Sequence, residues 1–119
     1  MKIYVKATSN YDVYKSIEDE VNDVANKLIE GTSLKHYIYQ SKVSQSKGTV
    51  TIALGREYNP REPIDVNEVK ENISKYSDIK ENVIRVSRTT FTRGCDGVGY
   101  PTYYDVVYVI MNLDYFYRK

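Results

Sequence analysis

The sequence predicts an α+β fold of two layers, with two helices packed on a mostly antiparallel sheet of about five strands. Three observations carry this expectation. A helical stripe of apolar residues runs from Val13 to Ile29, and a shorter one runs from Val66 to Tyr76. The segments around them alternate apolar with polar residues, or run apolar, as strands do. The implied order is β-α-β-β-α-β-β, a ferredoxin-like split β-α-β arrangement with one strand added. A chain of 119 residues suits one domain, expected over residues 1–119.

Each element has its own signal. Lys2 to Ala7 alternates, with Ile3, Val5 and Ala7 on one side, and reads as a half-buried strand. Ser9 and Asn10 then offer capping oxygens. Val13, Ile17, Val21, Val24, Ala25, Leu28 and Ile29 fall at helical spacing, and Gly31 follows as a C-terminal glycine should, which predicts a helix over residues 11–30. Residues 35–43 and 49–58 read as strands joined by a turn at Ser46-Lys47-Gly48. Pro60 and Pro63 break both periodicities and mark a loop. Asp65 with Glu68 resembles a capping box opening a helix over residues 66–76. Residues 83–93 and 102–117 read as extended, with a glycine-rich loop over 94–101 between them. Val106 to Met111 is apolar on both faces, which predicts a central strand covered on both sides.

Composition bounds the function classes. The formal net charge is +1, so no bulk drive toward nucleic acid or an anionic membrane exists. Cys95 is the one cysteine and His36 the one histidine, which excludes an internal disulfide and the usual structural zinc sets. No metal and no cofactor is expected. The opening residues lack the apolar core of a signal peptide, and no run is long enough to span a membrane, so a cytoplasmic setting is expected. Tyrosine is in excess, 13 residues against 2 Phe and no Trp; it suits half-buried surfaces and interfaces, and equally a Tyr-rich sheet.

Few residues could carry chemistry. A nucleophilic route would need Cys95 and His36 at hydrogen-bond distance, and nothing in the sequence brings them together. Gly94, Gly97 and Gly99 precede a strand rather than a helix, so turn geometry explains them better than a phosphate cradle. No catalytic residue is therefore expected, and the protein reads as a nonenzymatic one.

Binding surfaces are the better candidates. Asp12, Asp19, Asp23 and Glu30 would share one exposed helical face, flanked by Glu18 and Glu20. Such a stripe can imitate a phosphate backbone and dock on a basic channel, or it can be a solvated helix face. Lys42, Arg85, Arg88 and Arg93 lie in segments free of acids, and Tyr37 and Tyr39 lie in an expected strand too. Aromatics interleaved with bases on a sheet stack and neutralise single-stranded nucleic acid, which makes a small nucleic-acid-binding regulator the alternative reading. Residues 102–117 carry six aromatics, Tyr103, Tyr104, Tyr108, Tyr115, Phe116 and Tyr117. If helices cover one face of that strand, its other face needs the 93–101 loop, the C-terminal tail or a second copy in a homodimer.

The opening Met1-Lys2-Ile3-Tyr4-Val5-Lys6-Ala7, with the short length and the Tyr-, Lys-, Asn- and Ile-rich composition, resembles small accessory proteins of phages and mobile elements in Gram-positive bacteria. Several proteins of that kind are anti-defence factors, including anti-CRISPR proteins. The resemblance implies a stoichiometric inhibitor of a host defence complex, acting in the host cytoplasm by protein–protein binding. It transfers no functional residue.

Overall fold

A computed structural model describes residues 9–59, 61–93 and 102–117. The expected strand over 2–7 and the loop over 94–101, with Cys95, lie outside the described residues.

The expected first helix forms as two. α1 (Asn10–Ser16) begins at Ser9, whose hydroxyl accepts from the Asp12 amide while the Asp12 carboxylate accepts from the Ser9 amide. The helix stops at Ile17, where φ −118° and ψ 12° leave the α region, and α2 (Glu18–Leu28) starts at once. Ser16 turns its hydroxyl back onto the Val13 carbonyl at 2.6 Å, a local bond that competes with the helical ladder. Apolar spacing continues through the break because Val13, Ile17 and Val21 all reach the same core.

The second half-turn of the chain also departs from expectation. β1 (Lys35–His36) and β2 (Lys42–Ser44) lie on the same edge of β3 (Thr49–Glu57), with a 3₁₀ turn over Ile38–Gln40 between them. His36 pairs with Leu54 and Lys42 with Thr51, so this edge uses more residues than β3 to cover the same span. The surplus is folded into the 3₁₀ turn, which pushes Ile38 and Tyr39 out toward solvent. Gly48 supplies the positive φ of 66° at which the hairpin between β2 and β3 turns.

After β3 come α3 (Val66–Ser74), capped by Asp65, and a short α4 (Ser77–Asn82) that periodicity could not reveal because Ile79 is its one apolar side chain. β4 (Val83–Arg93) and β5 (Thr102–Asn112) form a long antiparallel pair, and a 3₁₀ turn over Leu113–Tyr117 follows. The sheet order is β1-β3-β5-β4, every pairing is antiparallel, and β2 joins the outer edge of β3. β5 thus lies between β3 and β4, and the β3–α3–α4–β4 connection is a split β-α-β unit.

The two layers meet on one face of the sheet. Ile52, Leu54, Val107, Val109 and Met111 are fully buried there against Ile17, Val21, Leu28, Val69 and Ile79. Buried Asn72 ties the helices together: its amide donates to the carbonyls of Leu28 at 2.8 Å and Glu30 at 2.9 Å, filling acceptors that the end of α2 leaves open. On the opposite face, Ala53, Gly55 and Val106 are also buried while Tyr108 and Ile110 are half-buried. Part of that cover is the chain's own, since Tyr37 lies over Gly55 and meets Tyr104 edge-on at 5.9 Å. Both edges of β5 are hydrogen-bonded to neighbours, so a homodimer through this strand is narrowed to its open face.

Candidate functional site

The surplus residues at the sheet edge build a groove against α1. Its volume is about 600 Å³, and Tyr11, Tyr14, Ile38, Tyr39, Lys42 and Val43 are among its walls. Tyr39 is 99% exposed, Tyr11 69% and Ile38 45%, while Tyr14 and Val43 are buried. The exposed side chains therefore form a rim and the buried ones a floor. Half of the six exposed large hydrophobic side chains among the described residues thus line this one groove.

The floor is held by Ser41. Its hydroxyl lies 3.0 Å from the Ala53 amide, 3.1 Å from the Tyr37 carbonyl and 3.0 Å from His36 Nε2. A hydroxyl has one proton. The Ala53 amide can only donate to it and the Tyr37 carbonyl can only accept from it, so all three contacts are satisfied when His36 Nε2–H donates. In that arrangement His36 is a donor toward Ser41 rather than its base, and the trio stitches the interrupted edge to β3. Burial pushes the His36 pKa below its ordinary value, which keeps the ring neutral.

Tyr14 is different. Its hydroxyl is buried and makes no hydrogen bond of regular geometry. Burial raises its pKa, and a hydrogen-bonding approach to the Ser41 hydroxyl pulls the other way, but that hydroxyl is already engaged by three other groups. Lys15 at the groove is paired with Glu18 at 3.0 Å, whereas no ion pair among the described residues engages Lys42.

The acidic face is dispersed by the break at Ile17. Asp12 sits on α1 and serves its N-terminus; Asp19, Glu20 and Asp23 lie on α2; Glu30 lies beyond the end of α2. Asp19, Asp23 and Glu30 are exposed and Glu20 is half-exposed. Among the described residues no group of three His, Cys, Asp or Glu side chains could hold a metal ion.

The basic, tyrosine-bearing set does not converge either. Tyr37, Tyr39 and Lys42 belong to the β1–β2 edge, whereas Arg85, Arg88 and Arg93 belong to β4 at the opposite edge. Arg85 pairs in register with Ile110 and Arg88 with Val107, which point to opposite faces. Arg88 is bound in two places to buried Asp105, at 2.8 Å each, and Tyr37 is packed on the sheet. The Arg93 side chain lies outside the described ones. A second cleft of about 620 Å³, with Tyr37, Tyr58, Tyr104 and Lys35 in its walls, gathers aromatics at the far end of β3.

Sequence reasoning singled out Tyr39 and Lys42 but missed Tyr11, Ile38 and Tyr14. The signal was present: Ile38 and Tyr39 are adjacent, and adjacent large apolar residues cannot both face the core of a one-sided strand. Among the described residues, no helix is long and apolar enough to cross a membrane. No protein-family model, no curated protein and no solved structure matches this chain.

Proposed function

We propose that this protein is a noncatalytic binding protein that acts by occupying a surface of a partner protein. The observation that carries the reading is the rim of Tyr11, Ile38 and Tyr39, exposed around one groove. Aromatic side chains that stand free on a folded domain lose nothing internal when they are covered, and tyrosine is among the residues that dominate binding hot spots. The Ser41 stitch and the buried floor fix that rim to the sheet, so its geometry is set before a partner arrives.

The partner we propose is a host defence protein or effector complex, such as a CRISPR-Cas effector, met in the cytoplasm of a Gram-positive bacterium by a phage- or mobile-element-encoded inhibitor. Support for that step is the resemblance to small accessory proteins of such elements. The exposed carboxylates Asp19, Asp23 and Glu30 would add a weaker contact, because Asp12 is spent on capping and the stripe is broken.

The test places a photo-crosslinking amino acid at position 40, an exposed site beside the rim, and expresses the protein in a Gram-positive host with an active CRISPR-Cas system. We expect a crosslink to a subunit of the defence complex, and phage plating restored to the level of a defence-deficient strain. Tyr39→Ala and Tyr11→Ala together should abolish both. Unchanged restriction with no crosslinked defence subunit would overturn the proposal.

A further inference from the structure

We infer that the groove between α1 and residues 38–43 receives a peptide segment of the partner protein that carries an apolar side chain close to a carboxylate. The inference rests on the binding-protein reading above and names the chemistry it would recognise.

Size and lining set the apolar part. A groove of about 600 Å³ holds a few side chains, not a domain, and Tyr11, Ile38, Tyr39 and Val43 present carbon to it. Covering a rim side chain that is 99% exposed removes apolar surface from water that folding left wet.

Two polar groups set the carboxylate. Lys15 and Glu18 neutralise each other, which leaves Lys42 as the cation of the groove outside any ion pair among the described residues. The Tyr14 hydroxyl makes no hydrogen bond of regular geometry and has beside it only the already engaged Ser41 hydroxyl, on a residue that is 6% exposed. A buried donor left poorly satisfied is costly in the free protein, so an occupant whose acceptor reaches it through a small shift of the groove floor recovers that cost. An amine or guanidinium would bring neither an acceptor for Tyr14 nor a counter-charge for Lys42.

Other occupants fit less well. A second copy meeting this groove about a two-fold axis would bring the same lining, whose one carboxylate, Glu18, is already paired with Lys15. A nucleic-acid backbone would meet Glu18 and the acidic start of α2.

The test pans a phage-displayed random peptide library on the protein, with counter-selection on the Tyr11→Ala/Tyr39→Ala variant, and measures synthetic versions of the winners by fluorescence anisotropy. Winners should carry Asp or Glu within about four residues of an aliphatic or aromatic anchor, since that is the reach of one groove. Lys42→Glu should weaken them by about tenfold or more and reverse the preference toward basic peptides. Tyr14→Phe should weaken them by about fivefold while its melting temperature stays level or rises, because the lost hydroxyl made no hydrogen bond of regular geometry. Winners without acidic residues, or affinities that neither Lys42→Glu nor Tyr14→Phe moves, would overturn the inference. So would a homodimer in sedimentation that Tyr39→Ala dissociates. If Tyr39→Ala abolishes the crosslink to the partner while Lys42→Glu and Tyr14→Phe bind peptide as the parent does, the carboxylate falls and the binding-protein reading stands. If no peptide is enriched and no crosslink forms, both fall.

Discussion

Arg88 reaches across the β4–β5 pair and grips Asp105 with two hydrogen bonds of 2.8 Å, on a carboxylate that is 1% exposed. Burial would raise the Asp105 pKa, but Arg88, the Ile64 amide and the field of Arg56 outweigh it and hold the group below the usual carboxylate range. Through the Ile64 amide the same carboxylate pins the residues just before α3 onto the sheet. Arg88→Ala removes the main partner and leaves the charge buried. We expect a loss of about 3 kcal/mol in urea denaturation, the low end for a broken buried pair, because Arg88 itself is 37% exposed and water partly replaces it. The double variant Arg88→Met/Asp105→Leu should recover most of that loss. A single variant as stable as the parent would show that the pair holds nothing.

Ser41→Ala tests the stitched edge. The Ala53 amide it serves is on a fully buried residue, and the substitution leaves that donor without an acceptor. The expected cost is about 1–3 kcal/mol. Hydrogen exchange should localise it, with the Ala53 and Tyr37 amides losing protection before those of the β4–β5 pair. Equal loss across the sheet would mean that Ser41 acts through global packing instead.

How far the sequence reveals this molecule depends on the range of the interaction involved. The α+β class, the strands expected over 49–58 and 83–93, and the central place of residues 106–111 follow from local periodicity, and the structure has them, the first ending at Glu57. The break at Ile17 was hidden because both helices face one core and the apolar spacing never lapses. The 3₁₀ turn over 38–40 was hidden because its cause is a mismatch of length against β3, a partner that local periodicity does not include. The candidate site lies on that mismatch. Its floor residue Tyr14 belongs to the apolar stripe of α1, where nothing local distinguishes a tyrosine with a satisfied hydroxyl from one without.

Two titrations should mark the ends of the pH–stability curve. His36 has its pKa lowered by burial, so the folded state resists a proton that the unfolded chain accepts near its ordinary value of about 6.5. Stability should be full above that value and fall as the pH drops below it, toward the lower folded pKa. His36→Gln should flatten this step between about pH 7 and 5.5, above the range where carboxylates titrate. A step of the same size in the variant would assign it elsewhere.

At the alkaline end, Tyr115 donates to Asp78 at 2.8 Å, and burial together with that bond pushes its pKa up to about 12. Because the folded value is raised, the contribution is present below the ordinary tyrosine pKa of about 10 and is lost as the pH rises through the folded value. Tyr115→Phe should cost about 1 kcal/mol or less at neutral pH, since the bond is solvent-exposed, and should remove this alkaline loss. Stability in urea followed from pH 9 to 12 reads it. A parent protein whose stability does not decline there faster than the variant would contradict the pairing.

Gly55→Ala tests how the open face of the sheet is closed. A Cβ built on Gly55 would stand 2.5 Å from the Asp105 carbonyl oxygen, 3.0 Å from the Tyr37 ring and 3.1 Å from a Val106 methyl group. Gly55 has no positive φ, so the requirement is space and not backbone conformation. The ring could rotate away, but the carbonyl belongs to the β3–β5 ladder, where Gly55 pairs with Val106 and Arg56 with Asp105. Relief therefore has to move backbone, and overpacking of this kind costs on the order of 1–3 kcal/mol. Tyr37→Ala alone should cost less than Gly55→Ala, since it uncovers the open face at Gly55 without straining the ladder. If the clash is with the ladder, adding Tyr37→Ala to Gly55→Ala should restore little. If the ring is the obstacle, the double variant should be more stable than Gly55→Ala alone. Thermal unfolding of the three proteins decides between these outcomes, and a rescue in the double variant would show that Tyr37, and not the β5 backbone, is what requires glycine at position 55.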